Sequence, residues 1–283
     1  MAYNTGGVAP GRAPARCCTT AMPRERVYRT EAVIIRRSDF GEADRLLTLI
    51  TPGGKRRVVA KGARKTTSRL AGYIELFTHA TMLLAIGRTL DIITQSAPLH
   101  TFDALRQSPL RIAAAYYVAE LLDRLSGEED ESRVLFDLLV GALGALDSTR
   151  HVDLVLRWVE LRLLAAAGYR PQLHHCASCQ AALTEETDRF CPSAGGALCP
   201  RCAPADRSAL PMGLPAFKLL RYLQAQPLAS VEGLALSAPV RAEAEHLLRA
   251  ALRSVLERDL ASLSHFDEVR SQELDAAEPH SAA

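Results

Sequence analysis

Long apolar runs are missing from this 283-residue chain. No stretch approaches the roughly 18 consecutive apolar residues that suggest a bilayer-spanning helix, so no membrane partner is expected. The first 26 residues, rich in Gly, Pro, Ala and Arg, lack the apolar centre of a secretory signal. They are read as a disordered N-terminal tail (1–26) of a cytoplasmic protein, and Met22 offers an alternative start. Aromatic residues are scarce, at 5% with a single Trp, so few surfaces can stack on a flat ligand. Also lacking are a nucleophile elbow, a Walker loop, a paired-His metal motif and a glycine-rich dinucleotide turn. The chain is therefore expected not to be an enzyme. Asp39, Glu42 and Asp44 could hold a nuclease metal, but they are read as loop carboxylates that pair with arginines.

Acid is missing where base is densest. Between Thr51 and Gly72 there is no Asp or Glu, against seven basic residues: Lys55, Arg56, Arg57, Lys61, Arg64, Lys65 and Arg69. The asymmetry extends to the whole chain. Residues 1–100 hold 16 Lys and Arg against 7 Asp and Glu, whereas the remainder holds 18 against 25. A split of this kind implies a polyanionic partner for the basic half.

The basic half reads as β structure. Val27–Arg37 alternates and is rich in β-branched residues. Arg45–Ile50 and Arg56–Ala60 flank Gly53-Gly54, which suits a tight hairpin. Tyr73–Leu84 and Thr89–Gln95 form a second pair around Gly87-Arg88. Five short strands fit an OB-fold barrel over 27–100, although an SH3-like barrel has a similar count.

From about residue 102 the apolar period becomes helical. Helices are expected from Ser108-Pro109 to Gly127, over Glu131–Leu146, over Val152–Ala167, over Pro215–Gln224 and over Val240–Leu263. The fold class is thus α+β: a barrel, then an all-α domain over 101–265. The polar, acidic end (266–283) is read as a disordered tail.

Seven cysteines are present, five of them between residues 176 and 202. Cys176-Ala-Ser-Cys179 and Cys199-Pro-Arg-Cys202 are two CxxC pairs, the spacing of a four-cysteine zinc site. Two-residue spacers make tight knuckles that point both sulfurs of a pair inward. Four cysteines leave no position for water, so the Zn(2+) is expected to be structural, within a zinc finger spanning 174–204. Cys191 is read as a small buried thiol, and His174 and His175 as surface residues or supports behind the ligands.

Several runs resemble the RecO family of bacterial recombination mediators. They are Tyr28 to Gly54, with its G-E-A-D-R-L-L core, Ala60-Lys-Gly-Ala-Arg-Lys65, Ser68-Arg69-Leu70, and Gly195-Gly-Ala-Leu-Cys-Pro-Arg-Cys202. The resemblance covers about residues 27 to 265; the first 26 residues and Cys191 depart from it. It implies an N-terminal OB-fold, a helical domain and, in many members, a four-cysteine zinc finger. It also implies binding to single- and double-stranded DNA and annealing of complementary strands. Partnership with RecR and with single-stranded-DNA-binding protein, in loading RecA during repair, is implied as well.

The residues themselves suggest how DNA would be held. Basic side chains release counterions from phosphates, and OB-folds add stacking. The candidate contacts are Arg36, Arg37, Lys55, Arg56, Arg57, Lys61, Arg64, Lys65, Arg69 and Arg88, expected to converge on one surface. Tyr28, Phe40, Tyr73 and Phe77 are candidates for stacking or for barrel core. An RNA- or ribosome-associated OB-fold and zinc-finger factor is the alternative function, and a scaffold binding an acidic protein is a third.

Overall fold

The computed structural model describes Met1 and residues 26–68, 70–127, 133–231, 233–256 and 259–277. The region read as an N-terminal tail lies almost wholly outside them, as does Arg69. Five strands come first: β1 (Val27–Phe40), β2 (Asp44–Thr51), β3 (Gly54–Ala60), β4 (His79–Ala85) and β5 (Asp91–His100). They close in the order β1-β2-β3-β5-β4, with β4 returning to β1. This is the OB-fold arrangement, a five-stranded Greek-key barrel. Gly54 takes φ 92° in the β2–β3 turn, a conformation that favours glycine. Ala32, Ile34, Leu47, Leu49, Val58, Met82, Leu84 and Ile93 fill the interior.

One seam of the barrel is thin. The parallel β3–β5 pairing has only Val58↔Asp91 and Val59↔Ile92, whereas β2–β3 runs unbroken from Arg45↔Ala60 to Thr51↔Gly54. A bulge also interrupts β1 between Ile34 and Arg36. Ile34 stays in the barrel core, while Ile35 joins the core of the helical body. The extra residue lets Arg36 pair with Thr48 on the outer face, the re-aiming that bulges commonly achieve.

The helices are α1 (Asp103–Gln107), α2 (Pro109–Leu125), α3 (Arg133–Ser148), α4 (Val152–Ala166), α5 (Leu214–Ala225), α6 (Ala238–Leu256) and α7 (Ala261–Ala277). The Ser108 side chain accepts the Arg111 N–H and caps α2, with Pro109 in the first turn. Buried residues ring α4, which makes it the central helix. Its buried Arg157 pairs with Glu160 at 2.6 Å, and Tyr117 of α2 donates to the same carboxylate at 2.6 Å. Val33, Ile35, Ile50 and Phe77 of the barrel share one core with these helices, so the two domains are packed together.

Four expectations are corrected. The fourth strand begins at His79 rather than Tyr73, because residues 71–78 turn and Phe77, at φ 61°, is buried with the helices. The fifth runs on to His100. The helix expected over Val240–Leu263 is two helices: Asp259 and Leu260 are not helical, and Leu260 is drawn into the core. The acidic end is helical as far as Ala277. Phe266 of α7 is 1% exposed, and Asp267 bonds Arg249 at 2.7 Å through each oxygen. Average polarity hides one buried ring and a charge gripped from α6. Residues 278–283 lie outside the described set.

Between α4 and α5 lies the cysteine-rich loop. Three short strands, β6 (Arg189–Cys191), β7 (Gly196–Leu198) and β8 (Leu210–Pro211), pair in the order β7-β6-β8. A Cβ on Gly196 would lie 2.4 Å from the Gln172 carbonyl oxygen, so only glycine allows this approach.

Candidate nucleic-acid interface and metal centre

The basic residues of the barrel fall into three sets rather than one continuous surface. The first lines a groove of about 780 Å3 whose wall includes Arg36, Lys55, Arg56, Arg57, Leu90 and Asp123. Across β1, β2 and β3, Arg36 pairs with Thr48 and Thr48 with Arg57, so the two arginines flank a threonine on the outer face. Arg56 and Arg57 have no carboxylate partner among the described residues; Arg56 donates to the Gly53 carbonyl at 3.2 Å. Arg36 lies 3.9 Å from Asp123, yet its side chain is 75% exposed. Arg88 is exposed beside Thr89 and Leu90 at the rim.

The second set sits at the other end of β3. Lys61, Arg64 and Lys65 are exposed in the connection after that strand. At roughly 3.3 Å per residue, Lys61 lies about 13 Å along β3 from Arg57. The Arg64 backbone N–H donates to Ala43, and its guanidinium reaches Asp39 at 3.5 Å, which fastens this connection to the β1–β2 turn.

In the third set the charge is committed internally. Arg37 is held by Glu75 at 2.6 Å. Lys55, 12% exposed, donates to the Asp123 carbonyl and carboxylate, both at 3.1 Å, and to the Ser126 carbonyl at 3.4 Å. Its ammonium caps the C-terminal end of α2, where cations are favoured, and so joins the two domains.

The aromatic candidates separate in the same manner. Phe77 is buried, edge-on to Tyr116 with centroids 5.0 Å apart. The Tyr28 hydroxyl donates to Asp91 at 2.6 Å. Burial, then that bond and the Asp91 charge, push its pKa up to about 12. Phe40 and Tyr73 are exposed.

The Asp39, Glu42 and Asp44 carboxylates do not converge. Asp44 accepts the Gly62 N–H at 2.7 Å, Asp39 pairs with Arg64, and Glu42 is exposed.

Cys176, Cys179, Cys199 and Cys202 do converge. Their four sulfurs lie within 4.8 Å of one another, and those of Cys179 and Cys199 are 3.7 Å apart. A disulfide needs about 2.05 Å. Zinc–sulfur bonds of about 2.3 Å imply tetrahedral edges of about 3.8 Å, which fits. The thiol chemistry fits a cation as well. Burial pushes the Cys176 thiol up, yet backbone N–H groups of Cys179, Cys199 and Ser178 bring it down to about 6. The N–H of Cys202, followed by a smaller opposing effect of burial, lowers Cys199. Cys202, hydrogen-bonded to the sulfurs of Cys179 and then Cys199, is pushed up to about 12. Four sulfurs this close cannot all be thiolates unless a positive ion sits among them.

Cys191 is buried in a separate contact, donating to Asp206 at 2.9 Å. His174 accepts from Arg221 at 2.9 Å, and burial, then Arg221, Arg170 and His175, lower its pKa. His175 is exposed.

Comparison with known proteins follows this division of the chain. The family described as recombination protein O, N terminal, matches residues 24–102, and recombination protein O, C terminal, matches 106–264. The chain belongs to the RecO family. A protein of Roseiflexus sp. (strain RS-1) called DNA repair protein RecO is 62% identical over 247 residues, 87% of each chain. The RecO of Nocardioides sp. (strain ATCC BAA-499 / JS614) is 42% identical over 85% of this chain and 99% of its own. The RecO of Dehalococcoides mccartyi (strain ATCC BAA-2266 / KCTC 15142 / 195) is 36% identical over 87% and 97%. Among the described residues no helix is long and apolar enough to cross a membrane.

Proposed function

We propose that this RecO-family chain is a non-enzymatic mediator of DNA repair and homologous recombination. It binds single- and double-stranded DNA and anneals complementary single strands. With RecR, it helps load RecA onto strands coated with single-stranded-DNA-binding protein. The observation that carries the reading is the groove on the outer barrel face, where Arg36, Arg56 and Arg57 stand together and Arg56 and Arg57 lack carboxylate partners among the described residues. Unpaired guanidinium groups on rigid strands are free to replace phosphate counterions, giving affinity with little sequence preference. Lys61, Arg64, Lys65, Arg69 and Arg88 extend the contact, whereas Arg37 and Lys55 support it from behind. Neutralising two backbones at once reduces their repulsion and lets complementary strands meet. The four cysteines hold a structural Zn(2+), and the protein works in the cytoplasm with the nucleoid.

The test is strand annealing on DNA coated with its cognate single-stranded-DNA-binding protein, with and without the RecR partner. Faster annealing by the wild type, lost on joint substitution of Arg36, Arg56 and Arg57 by alanine, supports the reading. Equal annealing by both proteins overturns it. Preferential binding of RNA over single-stranded DNA in a competition assay would favour the ribosomal alternative, and magnesium-dependent cleavage of either strand would refute the non-enzymatic assignment.

A further inference from the structure

The helical half carries net negative charge, and most of its arginines face a carboxylate or a backbone carbonyl. Arg124, Arg133, Arg157, Arg241, Arg249 and Arg270 all do so through ion pairs. Several arginines in or beside the zinc loop, Arg201 and Arg207 among them, lack an acidic partner among the described residues. Arg162 of α4, Arg170 just beyond that helix and Arg221 of α5 have no acidic partner among the described residues.

The fold brings Arg221, on α5, beside the segment that carries Arg162 and Arg170. Gln224 of α5 donates to the Pro171 carbonyl at 2.9 Å, which lays the 169–175 segment along α5. One turn earlier, Arg221 meets His174 at 2.9 Å. Arg162 stacks over Trp158 at 4.9 Å and donates to the Gln226 carbonyl at 2.8 Å, at the end of α5. Its Nε is buried without a partner. Arg170 immediately precedes Pro171, whose carbonyl is held by α5, and burial and then the charge of Arg170 lower the Arg162 guanidinium. Tyr169, 56% exposed, immediately precedes Arg170.

Like charges gathered without counterions are unfavourable in the free protein, and a polyanion relieves them. We infer that Arg162, Arg170 and Arg221, with the exposed ring of Tyr169, form a second contact surface for a single nucleic-acid strand. It shares no residue with the barrel groove. Arginine grips phosphate, and an exposed tyrosine offers a base a stacking partner at small entropic cost. The inference rests on the proposed function, because two separated strand surfaces on one body suit a protein that brings two strands together. The zinc loop then has a mechanical role, since it fixes the 169–175 segment against β7 through the paired bonds between Gln172 and the Gly195–Ala197 turn.

The experiment uses the full-length, zinc-loaded chain and a fluorescein-labelled oligothymidylate. The R170A/R221A variant is compared with an R56A/R57A barrel variant, with zinc content and circular dichroism checked for each. The cluster variant is expected to bind about tenfold more weakly at moderate salt, with the salt slope reduced by about 1.4 for two lost single-strand contacts. Annealing falls further than binding, and R170K/R221K restores most of both. Photo-crosslinking of the wild type to a 5-iodouracil strand is expected to label Tyr169, a readout that needs no variant. Wild-type binding and annealing by R170A/R221A, alongside loss in the barrel variant, would overturn this inference and leave the proposed function standing. Unchanged behaviour in both variants would overturn the two together. Labelling confined to the barrel also counts against the second surface.

Discussion

Arginine does opposite things in the two domains. On the barrel, Arg56 and Arg57 stand in a solvent groove with no acid paired to them among the described residues. In the helical body, Arg157, Arg249 and Arg270 are locked around Glu160, Glu245 and Asp267, with Glu245 placed between all three guanidinium groups. The residue type is the same, but one group is available to a ligand and the other ties helices together. Counting charges along a chain therefore locates a polyanion site only when partners are counted too. Lys55 teaches this within the barrel itself, since its ammonium belongs to α2.

The contrast can be broken or sharpened by experiment. Loss of a metal ligand should have the largest effect. Cys176→Ser removes a buried sulfur that accepts the Cys199 N–H. It is expected to abolish stoichiometric zinc and lower stability by several kcal/mol, a fall of roughly 10 °C in Tm; metal analysis and thermal unfolding measure both. Next comes Arg157→Ala, which strands the buried Glu160 carboxylate. A cost of about 3–5 kcal/mol in urea unfolding is expected. In the barrel, Arg57→Ala should cost less than about 0.5 kcal/mol while weakening DNA binding. Equal destabilisation by the two substitutions would erase the distinction.

Lys55→Met should lie between these, at about 1–2 kcal/mol, by removing charge-assisted bonds to α2. Its effect on DNA affinity should be smaller than that of Arg57→Ala. The smallest expected effect is on pH dependence. Burial raises the Asp267 carboxyl, but the Arg249 bond and the charges around it bring it below its ordinary range. A depressed carboxyl contributes stability above its unfolded pKa of about 3.9 and loses it as pH falls through the folded value. Asp267→Asn should therefore flatten the acid limb of a stability profile below about pH 4 and leave the alkaline limb unchanged.

The barrel could be read from the chain because its determinants are local. Alternating β-branched residues and the Gly53-Gly54 turn announce a hairpin, and two CxxC pairs announce four converging sulfurs. What escaped depends on contacts between distant segments. The bulge at Ile35 answers to helices packed on the outer face of β1. The helix over Ala261–Ala277 is polar on average and is held by Phe266 and by Arg249 of α6. Arg221 is more than fifty residues from Arg162 and Arg170 in the chain and comes beside their segment only because α5 lies along residues 169–175. A motif search cannot see a cluster assembled in this way.

The two-rung join between β3 and β5 has a consequence for the ligand. It runs beside Arg57 on one strand and the Thr89–Leu90 rim on the other. A bound oligonucleotide lying over that join would act as a clasp across the weakest stitch of the barrel. The amides of Val59 and Ile92 would then exchange their hydrogens more slowly when DNA is present, while the long β2–β3 ladder would hardly notice it.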